Sequence, residues 1–80
     1  MLTEYLRAAM KRAKYEMLPD NNTYYGSIPQ FDGVYANSDN LENCRNELED
    51  VLEEWLLFRI SRRLSLPIVD GIDLRIREFV

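Results

Sequence analysis

NLENCRNELEDVLEEWLLFRISRR, residues 40–63, is the stretch whose periodicity decides the fold. Leu41, Cys44, Leu48, Val51, Leu52 and Trp55 recur at three- and four-residue intervals. Successive helical residues turn by about 100°, so that spacing gathers them into one apolar stripe. Asn40 has the short polar side chain that caps a helix N-terminus, and Glu42 puts negative charge in the first turn. Arg59, Arg62 and Arg63 put positive charge in the last turn, where it complements the helix dipole. The pattern predicts a helix over 41–63 that lies on a sheet. Glu42, Glu47, Glu49, Asp50, Glu53 and Glu54 fall off the stripe onto a face open to water. Trp55-Leu56-Leu57-Phe58 breaks the pattern, because four consecutive apolar residues point in every direction round the axis. One sheet covers only one side of them. The N-terminal segment, the C-terminal tail or a second subunit must cover the rest.

Upstream of this helix the period changes to two. Residues 13–18 alternate apolar and polar, Pro19-Asp20-Asn21-Asn22 is a turn by composition, and residues 23–28 are rich in β-formers. A connection from Pro29 to Gly33 leads to a third strand, Val34-Tyr35-Ala36-Asn37. Connections this short join antiparallel neighbours. Further upstream, residues 3–13 read as a short amphipathic helix with Thr3 as N-cap. Leu2, Tyr5, Leu6, Ala9, Met10 and Ala13 form its apolar side, and Arg7, Lys11 and Arg12 its solvated side. Downstream, Pro67 and the Asp70-Gly71 turn precede a fourth strand candidate, in which Ile72, Leu74 and Ile76 alternate with Asp73, Arg75 and Arg77. That strand would either close the protomer's own sheet or pair with a neighbouring subunit's edge, and the sequence leaves both open. The expected fold class is α+β. A three-stranded antiparallel sheet packs on one long helix (β-β-β-α), with an extra N-terminal helix and a possible C-terminal strand. Residues 1–80 are expected to form one domain, with its N-terminal helix at 3–13, its core at 13–67 and a C-terminal extension at 68–80.

Composition narrows the function. Histidine is absent and Cys44 is the only cysteine, so neither an intramolecular disulfide nor the usual zinc ligand set is available. Nucleophilic catalysis normally pairs Ser or Cys with a histidine or lysine base. Cys44 falls on the apolar stripe, where a thiol is inert. The only glycines are Gly26, Gly33 and Gly71, which make no phosphate loop. No catalytic residue, metal site or cofactor is therefore expected, and the chain does not read as an enzyme. No apolar run approaches the roughly 18–20 residues that span a bilayer, and residues 1–5 have no signal-peptide pattern, so the expected location is the cytoplasm. With 46% apolar residues the chain folds, yet a domain of this size buries only about 60–65% of its unfolded surface. Oligomerisation is the remaining source of added stability. A net charge of −4 opposes non-specific nucleic-acid binding and steers basic partners.

Three stretches in order carry a family resemblance: Tyr24-Tyr25-Gly26-Ser27-Ile28-Pro29, Phe31-Asp32-Gly33-Val34-Tyr35-Ala36 and Asp39-Asn40-Leu41-Glu42. Asn46-Glu47-Leu48 and Leu52-Glu53-Glu54-Trp55-Leu56 continue the match along the helix. Residues 13–67 thus resemble the HicB-like antitoxin domain of bacterial toxin–antitoxin systems. The resemblance implies a partial version of the double-stranded-RNA-binding fold. It also implies a cytoplasmic protein that binds and neutralises a small, basic, mRNA-cleaving toxin of the HicA-like kind. The chain departs from the family at Ser38, where a glycine usually precedes the helix, and at Asn43, where a capping-box Glu is usual. Many members also carry a C-terminal DNA-binding module. The residues after Pro67 are too few for one, so direct operator binding is not expected of this chain.

On this reading Tyr24, Tyr25 and Tyr35 on the sheet, with Glu47, Asp50 and Glu54 on the helix, are the candidate partner contacts. Packed tyrosines and merely solubilising acids are an equally good account of each one. Trp55, Leu56, Leu57, Phe58, Ile72, Leu74 and Ile76 are the candidate homo-oligomer interface. Two alternatives stand beside neutralisation. The chain is an orphan oligomer serving as a structural or transcriptional accessory, or its tyrosines stack RNA bases. The last ranks lowest, because no Lys or Arg lies between Lys14 and Arg45.

Overall fold

The computed structural model describes residues 2–72. Along the described residues the order is α1 (Leu2–Lys11), β1 (Lys14–Leu18), β2 (Thr23–Ser27), β3 (Tyr35–Ser38) and α2 (Leu41–Ser61). The strands form an antiparallel meander in the order β1-β2-β3. Lys14 stands opposite Ser27 and Leu18 opposite Thr23 in the first pair; Tyr24 stands opposite Ser38 and Ser27 opposite Tyr35 in the second. The α+β architecture expected from the sequence is the one observed, with most boundaries shifted by a residue or two.

Turn chemistry sets the register. Ile28, Pro29, Gln30 and Phe31 form a turn closed by the Phe31 N–H on the Ile28 carbonyl at 3.2 Å. Pro29 supplies the fixed φ of its second position, and Gln30 takes φ +74° at its third, as a type II turn requires. A second such turn follows at once. The Val34 N–H reaches the Phe31 carbonyl at 3.1 Å, and Gly33 holds φ +91°. These turns swing Ile28, Phe31 and Val34 inward, and all three are buried.

Alternation along the strands puts Tyr15, Tyr24, Gly26 and Ala36 on the face towards α2, where Cys44, Leu48, Leu52 and Leu56 are buried. The expected stripe of α2 is therefore realised from Cys44 to Trp55. Leu41 is the exception at 48% exposure, because it sits in the first turn, beyond the sheet's cover. Asn40 caps the helix as expected, its Oδ1 accepting from the Asn43 N–H at 2.8 Å. Ser38 ends β3 without positive φ, so the strain that a glycine position would impose is absent there.

The C-terminus of α2 lies earlier than expected. Arg62 is the C-cap, and Arg63 takes the left-handed conformation at φ +56°. The Leu64 N–H reaches back to the Arg59 carbonyl at 2.8 Å and the Arg63 N–H to the Ile60 carbonyl at 3.1 Å, the Schellman pattern.

At the N-terminus Thr3 lies inside α1 and is not its cap, and the helix stops at Lys11 where turn-type bonds lead into β1. Tyr5, Ala8 and Ala9 are its buried residues, whereas Leu2 is 44% exposed. The Tyr5 hydroxyl donates to the Pro67 carbonyl at 2.6 Å and its ring packs edge-on to Phe31 at 6.2 Å. Arg12, read as solvated, instead pairs with Asp70, its Nε donating to Oδ1 at 3.1 Å in an exposed ion pair.

Past α2, Val69 and Ile72 exchange both backbone hydrogen bonds across Asp70 (φ 49°) and Gly71 (φ 77°), the tight turn that the Asp-Gly pair specifies. Val69 is fully buried. Leu74 and Ile76, proposed from the sequence as a strand, lie outside the described residues.

Candidate interaction surface

The sheet has two faces with different duties. On the inner face, Gly26 lets the helix and Tyr15 approach closely, and a Cβ there would stand 2.9 Å from the Tyr15 ring and 3.2 Å from Cys44 Sγ. Cys44 is buried, its thiol donating weakly to the carbonyls of Tyr24 and Ala36 at 3.5 and 3.7 Å. Burial pushes that thiol's pKa up, and Glu47 adds to the rise while the Gly26 backbone N–H opposes it. Cys44 is thus buried in the core, as its place on the apolar stripe implies. Tyr15 is raised as well, first by burial and then by Cys44 and Glu49, against the lowering pull of Arg45.

The outer face carries Tyr25 and Tyr35, whose rings stack at 6.1 Å with 26° between their planes. Glu16 and Asn37 flank Tyr25 on the neighbouring strands. Asn37 Nδ2 donates to Thr23 Oγ1 at 3.0 Å and to the Tyr24 carbonyl at 3.1 Å, and Thr23 Oγ1 donates to Asn21 Oδ1 at 2.7 Å. This network fixes the β3 edge onto β2.

Of the six residues proposed as partner contacts, the structure brings three together. Tyr35, Glu47 and Asp50 line one groove between the edge of β3 and α2, with Ala36, Asn37 and Val51 completing its walls and a volume of about 370 Å³. Tyr25 joins through its stack on Tyr35. Glu54 is exposed one helical turn beyond Asp50 and continues the acidic side without lining the groove. Tyr24 belongs elsewhere: alternation turns it to the inner face, where it packs against the core. Asn37 and Val51 were not singled out as partner contacts. The two-residue period linking Asn37 to Tyr35 was the signal available for the first, and Val51's place at the border of the apolar stripe for the second.

The proposed oligomer interface divides. Leu56 is 1% exposed and offers a second copy no surface. Trp55 is half-buried within the chain, its ring 5.1 Å from Phe31 and its indole N–H donating to the Asp32 carbonyl at 3.0 Å. Arg59 lies over the other side of the indole at 4.8 Å and donates from Nε to the Ser65 carbonyl at 2.9 Å. The covering thus comes from α1, the Phe31 loop and the segment after α2. Leu57 and Phe58 remain 64% and 53% exposed, with Arg62 stacked over the Phe58 ring at 5.1 Å. Ile72 pairs with Val69 within the chain.

Among the described residues, no cluster of His, Cys, Asp or Glu could hold a metal ion, and no helix is long and apolar enough to cross a membrane. A small α+β domain whose edge strand β3 carries a tyrosine beside an acidic helix is the class that the described residues define. The chain belongs to the UPF0150-like family, whose model matches residues 4–67. It is also similar to TTHA0281 from Thermus thermophilus, known from a crystal structure. The two share 38% identity, the match spans 96% of this chain and 95% of that one, and the TM-score is 0.88. A comparison with curated proteins finds no match.

Proposed function

We propose that this chain is a HicB-like antitoxin, which binds and neutralises a small basic mRNA-cleaving toxin by protein–protein contact and performs no catalysis itself. The observation that carries this reading is the groove in which Tyr35, Glu47 and Asp50 meet beside β3, an edge strand among the described residues. From Leu41 to Glu54, α2 carries six carboxylates and one cation, Arg45, and all six carboxylates are exposed. A surface of that sign raises the encounter rate with a basic protein and discriminates against acidic ones. It also weighs against base stacking on Tyr25 and Tyr35. Glu16 stands beside Tyr25, and Glu47 and Asp50 beside Tyr35, where phosphates would be repelled.

Co-purification tests the reading. The tagged chain, expressed with the product of the adjacent reading frame, is expected to retain a basic RNase in stoichiometric amount. Recovery of the chain alone, with that product soluble in the flow-through, contradicts it.

A second reading, self-association as a homo-oligomer in the cytoplasm, is favoured by Leu57 and Phe58, neighbouring apolar residues more than half exposed. This patch starts one helical turn beyond Glu54, whereas the groove itself is lined by Glu47, Asp50 and Val51.

A further inference from the structure

We infer that the outer edge of β3 docks an extended, lysine- or arginine-bearing segment of the partner, which adds to the sheet as a further strand with its cations over Glu47, Asp50 and Glu54. This rests on the antitoxin reading and specifies where and how the partner is held. Among the described residues β3 pairs on one side only, with β2. Its other side presents alternate backbone N–H and C=O groups, which an incoming strand satisfies. Natural edges are usually guarded by a lysine, a proline or a bulge. Tyr35, Ala36, Asn37 and Ser38 include neither charge nor proline, and their register with β2 runs without a break.

The groove beside this edge has the two components that an added strand reads. Ala36 and Val51 give it an apolar floor for one set of alternating side chains, and Glu47 and Asp50 give it an acidic rim for the other. Glu54 extends the rim along the same side of the helix, seven residues on from Glu47. The opposite edge of the sheet does not qualify for the same occupant. Beside β1, Arg7, Lys11 and Arg45 line the neighbouring groove with Glu49 as its one acid, and Lys14 begins the strand itself. Charge therefore selects β3 for a basic segment.

The test uses the 15N-labelled full chain and an acetylated, amidated hexapeptide alternating lysine and valine, followed by amide hydrogen exchange. Binding is expected to slow exchange at the outward-facing N–H groups of residues 35–38 and to leave β1 unchanged. The triple variant Glu47→Lys/Asp50→Lys/Glu54→Lys is expected to weaken the peptide by about tenfold or more, each exposed pair contributing a few tenths of a decade or more. The matched variant Glu42→Lys/Glu49→Lys/Glu53→Lys has the same net charge and is expected to weaken it less than about threefold. Protection on β1, protection on no strand, or equal weakening in both variants overturns the inference. So does concentration-dependent protection of residues 35–38 without peptide, which assigns the edge to a second copy. An RNase neutralised equally by the chain and by the Glu47/Asp50/Glu54 variant overturns the docking mode alone. An RNase that no form of the chain inhibits overturns the reading beneath it.

Discussion

Replacing Gly26 with alanine is the sharpest probe of how the sheet meets α2. In an ordinary strand the change stabilises by about 0.5–1 kcal/mol, because glycine loses more conformational freedom on folding. Here the new methyl would stand 2.9 Å from Cδ1 and Cε1 of Tyr15 and 3.2 Å from Cys44 Sγ. Unstrained carbon contacts lie at about 3.5–4.0 Å. Cys44 is fully buried in α2 and has no room to retreat. The Tyr15 ring is only half-buried, so it is the group that gives way. Overpacking of this kind costs about 1–3 kcal/mol, which outweighs the backbone gain and leaves a net loss of about 1–2 kcal/mol. For a domain of this size that lowers the Tm by about 5–15 °C. Thermal and urea melts followed by circular dichroism measure it. Tyr15→Leu should relieve the clash, so the double variant should lose about 1 kcal/mol less than the sum of the two single losses. A Gly26→Ala protein as stable as the wild type, or more stable, would show that the ring does not lie over Gly26 and that the inner face is packed differently.

Other outcomes follow from particular residues. Gln30 holds φ +74° at a turn position that favours glycine, so Gln30→Gly should raise stability by about 1 kcal/mol in a urea melt; a loss would mean the turn is not type II. Cys44 and Tyr15 both have pKa values raised by burial, so the unfolded chain gives up these protons at lower pH than the folded one. Their contribution is fully present below the ordinary thiol range and is lost as pH rises, so stability should fall above about pH 8.5, less steeply in Cys44→Ala. A flat alkaline limb contradicts that. Leu57→Glu with Phe58→Glu should leave the fold intact while sedimentation shifts from an oligomer to the 9.5 kDa monomer. A wild type that is already monomeric at micromolar concentration removes the self-association reading.

Much of this was legible because local signals agreed with the final packing. The Asn40 cap, the three- and four-residue spacing from Cys44 to Trp55, and the turns at Pro19–Asn22, Pro29–Gly33 and Asp70-Gly71 each act within a few residues, so sequence alone specified them. What sequence could not specify was which surface meets which. Trp55-Leu56-Leu57-Phe58 is apolar all round, and only the positions of Tyr5, Phe31 and Pro67 in space decide that Trp55 and Leu56 turn inward while Leu57 and Phe58 stay out. The three tyrosines looked equivalent by type. The register sends Tyr24 to the core and leaves Tyr25 and Tyr35 stacked on the outer face. Gly26 stands in the Tyr24–Pro29 motif, but its role depends on Tyr15 lying opposite across the strand pair. The meeting of Tyr35 with Glu47 and Asp50 joins residues more than ten positions apart, and no local pattern announces it.

The most direct measurement titrates the chain into a fixed amount of the proposed partner, the product of the adjacent reading frame, and follows cleavage of a labelled mRNA. The account predicts that cleavage falls linearly to zero at a fixed molar ratio, and that raising the salt slows the onset of inhibition by weakening the acidic surface's pull. Cleavage that continues undiminished at a large excess of the chain contradicts it.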